Sequence, residues 1–232
     1  MYSYKRGAKL VTWDHQVVWD YKTPDKTELQ SATLLQNGGV LLGICGVPAQ
    51  FIELDKKGKE VNKVTLNLEV ERPHSQFRQV FQLRNSNYLI PVMAKQKVLE
   101  VSRKGKIIAE HQIEGKAFSS LELPDGNLLL PCGDNHYYIV IDRKTGKELK
   151  RVNALEIEGV ALLFVGQILQ LKNGNLLICN WYGHTKDTTV DEPQLIEIDK
   201  NGKVVWSLHD KKNVGKISAA CYIDNFRLPD LK

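Results

Sequence analysis

Four times along the chain a polar turn runs straight into apolar residues: NGGVLLGI from Asn37, NSNYLIPV from Asn85, DGNLLLPC from Asp125 and NGNLLICN from Asn173. The intervals are 48, 40 and 48 residues. A leucine stands two residues before every turn (Leu35, Leu83, Leu123, Leu171), and Thr33, Phe81, Leu121 and Leu169 stand four before. Side chains recurring at every second residue share one face of an extended strand, so each turn is entered from a strand with an inward face. After the turns the apolar runs VLLGI, YLIPV, LLLPC and LLICN do not alternate. A strand of that kind is buried on both faces.

A second element recurs between these turns: an apolar strand, an acidic or hydroxyl residue, then a glycine. It reads FIELDKKGK, VLEVSRKGK, YIVIDRKTGK and LIEIDKNGK, with Asp55, Ser102, Asp142 and Asp199 at the corner; LVTWDHQVVW, with Asp14, is a fifth copy without the glycine. Asp and Ser cap local backbone N–H groups there, and Gly accepts positive φ. Each repeat thus holds four short strands in 40 to 48 residues, the period of a propeller blade. The expected fold is all-β, a β-propeller of four-stranded antiparallel blades in one domain over residues 1–232, with five blades visible. Four blades are intact. The fifth is composite: MYSYKRGAKLVTWDHQVVWDY supplies its second to fourth strands and KISAACYIDN its first, closing the ring and covering sheet edges.

The chain's 232 residues are enough for such a domain. Its net charge of +5 is dispersed and does not point to nucleic acid. No apolar run reaches the 18 residues of a membrane span, and no secretion signal is visible at the N-terminus. Cys45, Cys132, Cys179 and Cys221 form no CxxC pair; they read as small buried hydrophobes rather than a zinc site.

With strands labelled A to D from inner to outer, the A–B and C–D turns share one rim, and the D–A crossovers and B–C loops share the other. Six residues before each A–B turn lie Ser31, Gln79, Ser119, Gln167 and, in the composite blade, Ser218. Alternation predicts a ring of hydroxyls and amides at the mouth of a central channel, to which Gln30 and Gln76 are added as neighbours. These groups either satisfy crossover backbone and ordered water or hold a ligand. The crossover ERPHSQ brings His74, Gln76 and Arg78 to this rim; the loops CGDNHYY and CNWYGHTKDTTVDEP bring Asp134, His136, Asn180, Trp181 and His184. Imidazole, guanidinium, carboxylate and an indole platform suit a polar ligand such as a sugar or carboxylate. Asp134 and His136 are the candidates for a divalent metal. The opposite rim is lysine-rich because the C–D turns repeat, and reads as a solvated, edge-protecting face.

The stretches ERPHSQFRQ, NALEIEGVALLFVGQ, LICNWYGH and PQLIEIDKNGKVVW resemble the PQQ-like, quinoprotein-dehydrogenase-like propeller superfamily, and within it a group of six-bladed propellers of gut Bacteroidetes. The resemblance implies the fold over nearly the whole chain and carries no activity with it. Members of that group usually have a further N-terminal blade, often behind an export signal, which implies the periplasm or cell surface for them. This chain starts inside what would be their second blade. The quinone enzymes' vicinal cysteines and tryptophan-docking repeats are not seen, so no PQQ is expected.

Three functions remain open. The first is binding of a small polar ligand, such as a carbohydrate, at the channel mouth. The second is a lyase or hydrolase acting on a sugar or uronate there, with His74 or His184 as base, Arg78 neutralising charge, and Gln79 and Gln167 orienting substrate. The third is a scaffold with a protein partner.

Overall fold

The repeats fold as their patterns require, and the reason is visible in single strands. In the computed structural model, which describes residues 2–11, 14–35, 37–185 and 189–220, the strand VLLGIC sends Leu41 and Cys45 into one apolar cluster with Phe51, Phe77 and Tyr88. Its alternate residues Leu42 and Ile44 enter another, with Ala8, Leu29 and Ile52. Two clusters on opposite faces of one strand explain why the run is apolar at every position.

The described residues divide into two units, one up to residue 110 and the other from residue 111 onward. The first unit begins with an antiparallel sheet of β1 (Tyr2–Tyr4), β2 (Gly7–Val11) and β3 (Val17–Lys22). A four-stranded sheet follows: β4 (Glu28–Leu34), β5 (Val40–Cys45), β6 (Ala49–Leu54) and β7 (Glu60–Leu66). The next comprises β8 (Phe81–Gln82), β9 (Tyr88–Val92), β10 (Lys97–Val101) and β11 (Ile107–Gln112), the last of which carries the boundary between units.

The second unit holds two sheets. One is β12 (Leu121–Glu122), β13 (Leu128–Pro131), β14 (Tyr138–Ile141) and β15 (Glu148–Val152). The other is β16 (Val165–Gln170), β17 (Leu176–Asn180), β18 (Leu195–Ile198) and β19 (Val204–Leu208). Leu129, Tyr138, Val165, Ile168, Ile178 and Ile196 are in its shared core. Within each four-stranded sheet the strands neighbour one another in chain order, as a blade requires. No helix among the described residues is long and apolar enough to cross a membrane.

Two details differ from the pattern. The inner strands β8 and β12 are only two residues long, so Gln79 and Ser119 lie ahead of the ladder rather than on it. Their crossovers are tied by other bonds: Gln76 Nε2 donates to Gly46 O and Val70 O, and Phe118 N donates to Pro131 O. The composite blade shows its three N-terminal strands. Much of the segment read as its first strand, with Cys221 and Asp224, lies outside the described residues, while residues 218–220 run beside β16, where Gln167 Oε1 accepts from Ala220 N at 2.7 Å.

The corner residues behave as turn chemistry predicts. Asp55 Oδ1 accepts from Lys57 N and Lys59 N, and Asp199 Oδ1 from Asn201 N and Lys203 N. The thiols of Cys45, Cys132 and Cys179 are buried and unbridged, and burial pushes each up to about 12.

Candidate functional site

In the second unit two B–C loops meet. The first leaves β13 through Cys132 and Gly133, whose backbone forms a bridge with Val165. Gly133 has φ +49°, and the Phe164 ring lies against it, so a Cβ there would stand 2.9 Å from Phe164 Cζ. The second loop leaves β17 at Asn180. That side chain is fully buried and spent on backbone: Oδ1 accepts from Leu163 N and Phe164 N, and Nδ2 donates to Ala161 O and Pro193 O. The clamp fixes where Trp181 starts, and the indole folds back over Gly183. A Cβ at position 183 would be 1.7 Å from Trp181 Cζ2, so only glycine admits this arrangement.

The residues after the two glycines then reach each other. His184 Nδ1 bonds Asp134 Oδ1 at 2.7 Å, with side chains 61% and 60% exposed. His184 also packs edge-to-face on Trp181, with centroids 4.8 Å apart, and on Phe164 at 5.4 Å; Phe164 meets Trp181 at 5.0 Å and Phe118 at 4.8 Å. The carboxylate sets the ring's orientation through Nδ1, and Nε2 has no partner among the described residues. The result is an aromatic wall ending in an oriented imidazole and an open carboxylate.

The remaining rim residues of this unit divide by what they touch. His136, at φ +61°, turns its Nδ1 to Leu163 O rather than toward Asp134. Among the described residues no three His, Cys, Asp or Glu side chains gather as metal ligands. Ser119 and Ser120 are buried, and their hydroxyls, like that of Tyr182, have no hydrogen-bond partner among the described residues. Such groups are the places where ordered water enters a blade.

In the first unit His74 sits in a short 3-10 turn, Pro73–Ser75, and its Nδ1 bonds Glu28 Oε2 at 3.0 Å. Glu28 is mostly buried, its side chain 13% exposed, and also takes Lys5 Nζ at 3.0 Å and Gln30 Nε2 at 2.8 Å. Burial alone would raise the Glu28 carboxyl; the hydrogen bonds from His74 and Lys5, with their charges, outweigh it and hold the group below the usual carboxylate range. Arg78 donates to His74 O at 2.6 Å and to Phe77 O at 3.1 Å. Gln76 is buried and fully used, since it also accepts from Gly46 N at 2.9 Å. Ser31 Oγ accepts from Val80 N, whereas the half-buried Gln79 has no side-chain partner among the described residues.

The geometry can be set beside known proteins. A family model described as Mal s 1 allergenic protein-like matches residues 2–203. The chain belongs to that family. No curated protein sequence matches this Mal s 1-like chain. Among solved structures it is similar to a protein of unknown function from Bacteroides caccae, with 40% identity and a TM-score of 0.88, over 93% of this chain and 79% of that one. This meets the expected resemblance to propellers of Bacteroidetes. It is also similar to a catalytically inactive histidine-to-alanine variant of virginiamycin B lyase from Staphylococcus aureus with quinupristin, at 15% identity and a TM-score of 0.59, over 88% of this chain and 63% of that one. The WD40 domain of Pan2 from Neurospora crassa follows at 13% identity and a TM-score of 0.58, over 84% and 56%. Identities this low show the β-propeller fold alone.

Sequence reasoning missed four contributors to the His74–Glu28 and His184–Asp134 pairs of this Mal s 1-like chain: Glu28, Lys5, Phe164 and the room-making Gly183. One signal was present. Both halves of the second pair directly follow a loop glycine, in Gly133–Asp134 and Gly183–His184, and a glycine outside a tight hairpin marks a close approach.

Proposed function

We propose that this propeller binds a small polar ligand of carbohydrate type on the face formed by Trp181, His184 and Asp134. The observation that carries the reading is the exposed His184–Asp134 pair held against an indole edge. An aromatic wall offers the apolar faces of a sugar ring a packing surface, and the adjacent carboxylate and imidazole bond its hydroxyls. Titration calorimetry with a panel of neutral mono- and oligosaccharides tests it. A ligand should emerge whose affinity falls at least about tenfold in Trp181→Ala and in His184→Ala. A panel giving no heat, or a ligand bound equally well by both variants, defeats the reading.

A second reading is favoured by one feature. His184 Nδ1 is held by Asp134 while Nε2 has no partner among the described residues, the arrangement of a general base with its orienting group. In that reading the same face serves a lyase or hydrolase. Ultraviolet absorbance from unsaturated uronate products detects the lyase directly, and Asp134→Asn should slow it. Wild-type protein that produces no such absorbance from uronate polymers removes the lyase.

A further inference from the structure

The chain's positive charge is segregated. Residues 1–110 carry 17 Lys and Arg against 11 Asp and Glu, whereas residues 111–222 carry 13 against 14. In the first unit much of the surplus lies on two neighbouring C–D hairpins. The hairpin after β6 carries Lys56, Lys57 and Lys59, and Lys63 follows on β7. The hairpin after β10 carries Arg103, Lys104 and Lys106. Asn62 Nδ2 donates to Arg103 O at 3.2 Å, and a Cβ on Gly105 would touch Val64 Cγ1 at 3.3 Å, so the two tips lie side by side.

Little on these tips answers the charge. Arg103 is committed to the buried Glu53. Asp55 turns one oxygen inward to backbone N–H groups, and Glu60 is the other acid on the two hairpins. The six lysines are exposed, and none makes a salt bridge among the described residues. Directly behind them the outer strands expose Val61 (54%), Ile107 (44%) and Ile108 (52%). The outer strands of the second unit expose Leu149 (52%) and Val205 (51%) at the matching places, so the aliphatic residues recur with the blade and the charge surplus is what sets the first unit apart.

We infer that this hairpin rim of the first unit docks on an anionic lipid bilayer surface, the lysines meeting headgroup phosphates and carboxylates and Val61, Ile107 and Ile108 entering the interface. Lysines act as point charges suited to a diffuse array of headgroups rather than as forks for one carboxylate. Aliphatic residues beside them add the apolar half of an interfacial contact. An acidic polysaccharide or a nucleic acid would use the lysines and leave the aliphatic residues idle.

Co-sedimentation of the full chain with phosphatidylcholine vesicles, with and without phosphatidylserine, tests the inference. Binding should require phosphatidylserine and weaken with salt. It should fall at least about tenfold in K56E/K57E/K104E/K106E and stay within about twofold in the matched second-unit variant K144E/K147E/K200E/K203E. Val61→Ser with Ile108→Ser should weaken vesicle binding while leaving retention on heparin unchanged. Absence of binding to phosphatidylserine vesicles, equal loss in the two charge variants, or heparin retention without vesicle binding overturns it. Should the quadruple variant fail to fold, Lys56→Gln with Lys104→Gln and the salt dependence of the wild-type chain decide in its place.

Discussion

Each unit places a histidine Nδ1 against a carboxylate on the crossover-and-loop rim, and the two pairs differ in what surrounds them. In the first, Glu28 is mostly buried and shared among His74, Lys5 and Gln30. In the second, Asp134 and His184 are both well exposed, and the imidazole leans on Trp181 and Phe164. A carboxylate with three local partners has little capacity left for a ligand, and its bonds hold the crossover to β4. A carboxylate with one partner, next to an aromatic wall, keeps lone pairs open to solvent. The same two functional groups therefore serve cohesion in one place and recognition in the other, and the neighbours decide which.

The comparison breaks hardest at the amides beneath the pairs. Gln76 and Asn180 are both buried and both bonded only to backbone. Gln76→Ala and Asn180→Ala should each cost about 3 kcal/mol in urea unfolding, because buried backbone groups lose their partners. A cost near zero for either would mean that its amide is spare and available to a ligand. Next in size, Gly183→Ala should displace the indole, cost about 2 kcal/mol and remove sugar binding; no counterpart of this overlap exists at His74.

Smaller effects separate the pairs themselves. Glu28→Ala should destabilise by about 1 kcal/mol, while Asp134→Ala should stay within about 0.5 kcal/mol of wild type, as an exposed pair does. Equal costs would erase the distinction between a structural and a functional pair. The pH dependence sharpens it. The folded Glu28 carboxyl titrates below its unfolded value, so its contribution is fully present above about pH 5 and is lost as pH falls through the folded-state value. The stability difference between wild type and Glu28→Gln should therefore narrow on acidification below about pH 4.5; a difference that grows instead reverses the sign assigned to the pair.

Much of the blade structure was legible because its signals are local. A turn with Asp at its corner and glycine at positive φ is specified by five residues, and strand burial by alternation over six. The rim was legible for the same reason, since the side of a blade on which a loop falls follows from strand parity alone. The partners were not. His184 and Asp134 are 50 positions apart, His74 and Glu28 are 46 apart, and Gln76 reaches Gly46 across 30. No local pattern states such a pairing, so Gln76 and Asn180 read as ligand amides although backbone has claimed them, and Glu28 passed unremarked.

The sequence by itself determined the blades: four strands per repeat, which turns cap them, and which loops stand at each end. These follow from the backbone's turn preferences and from the need to bury every second side chain. Only the tertiary structure decided which polar groups are consumed and which are left over. Hydrogen-bond capacity is exhausted by whatever packing brings within about 3 Å, and that neighbour comes from another blade.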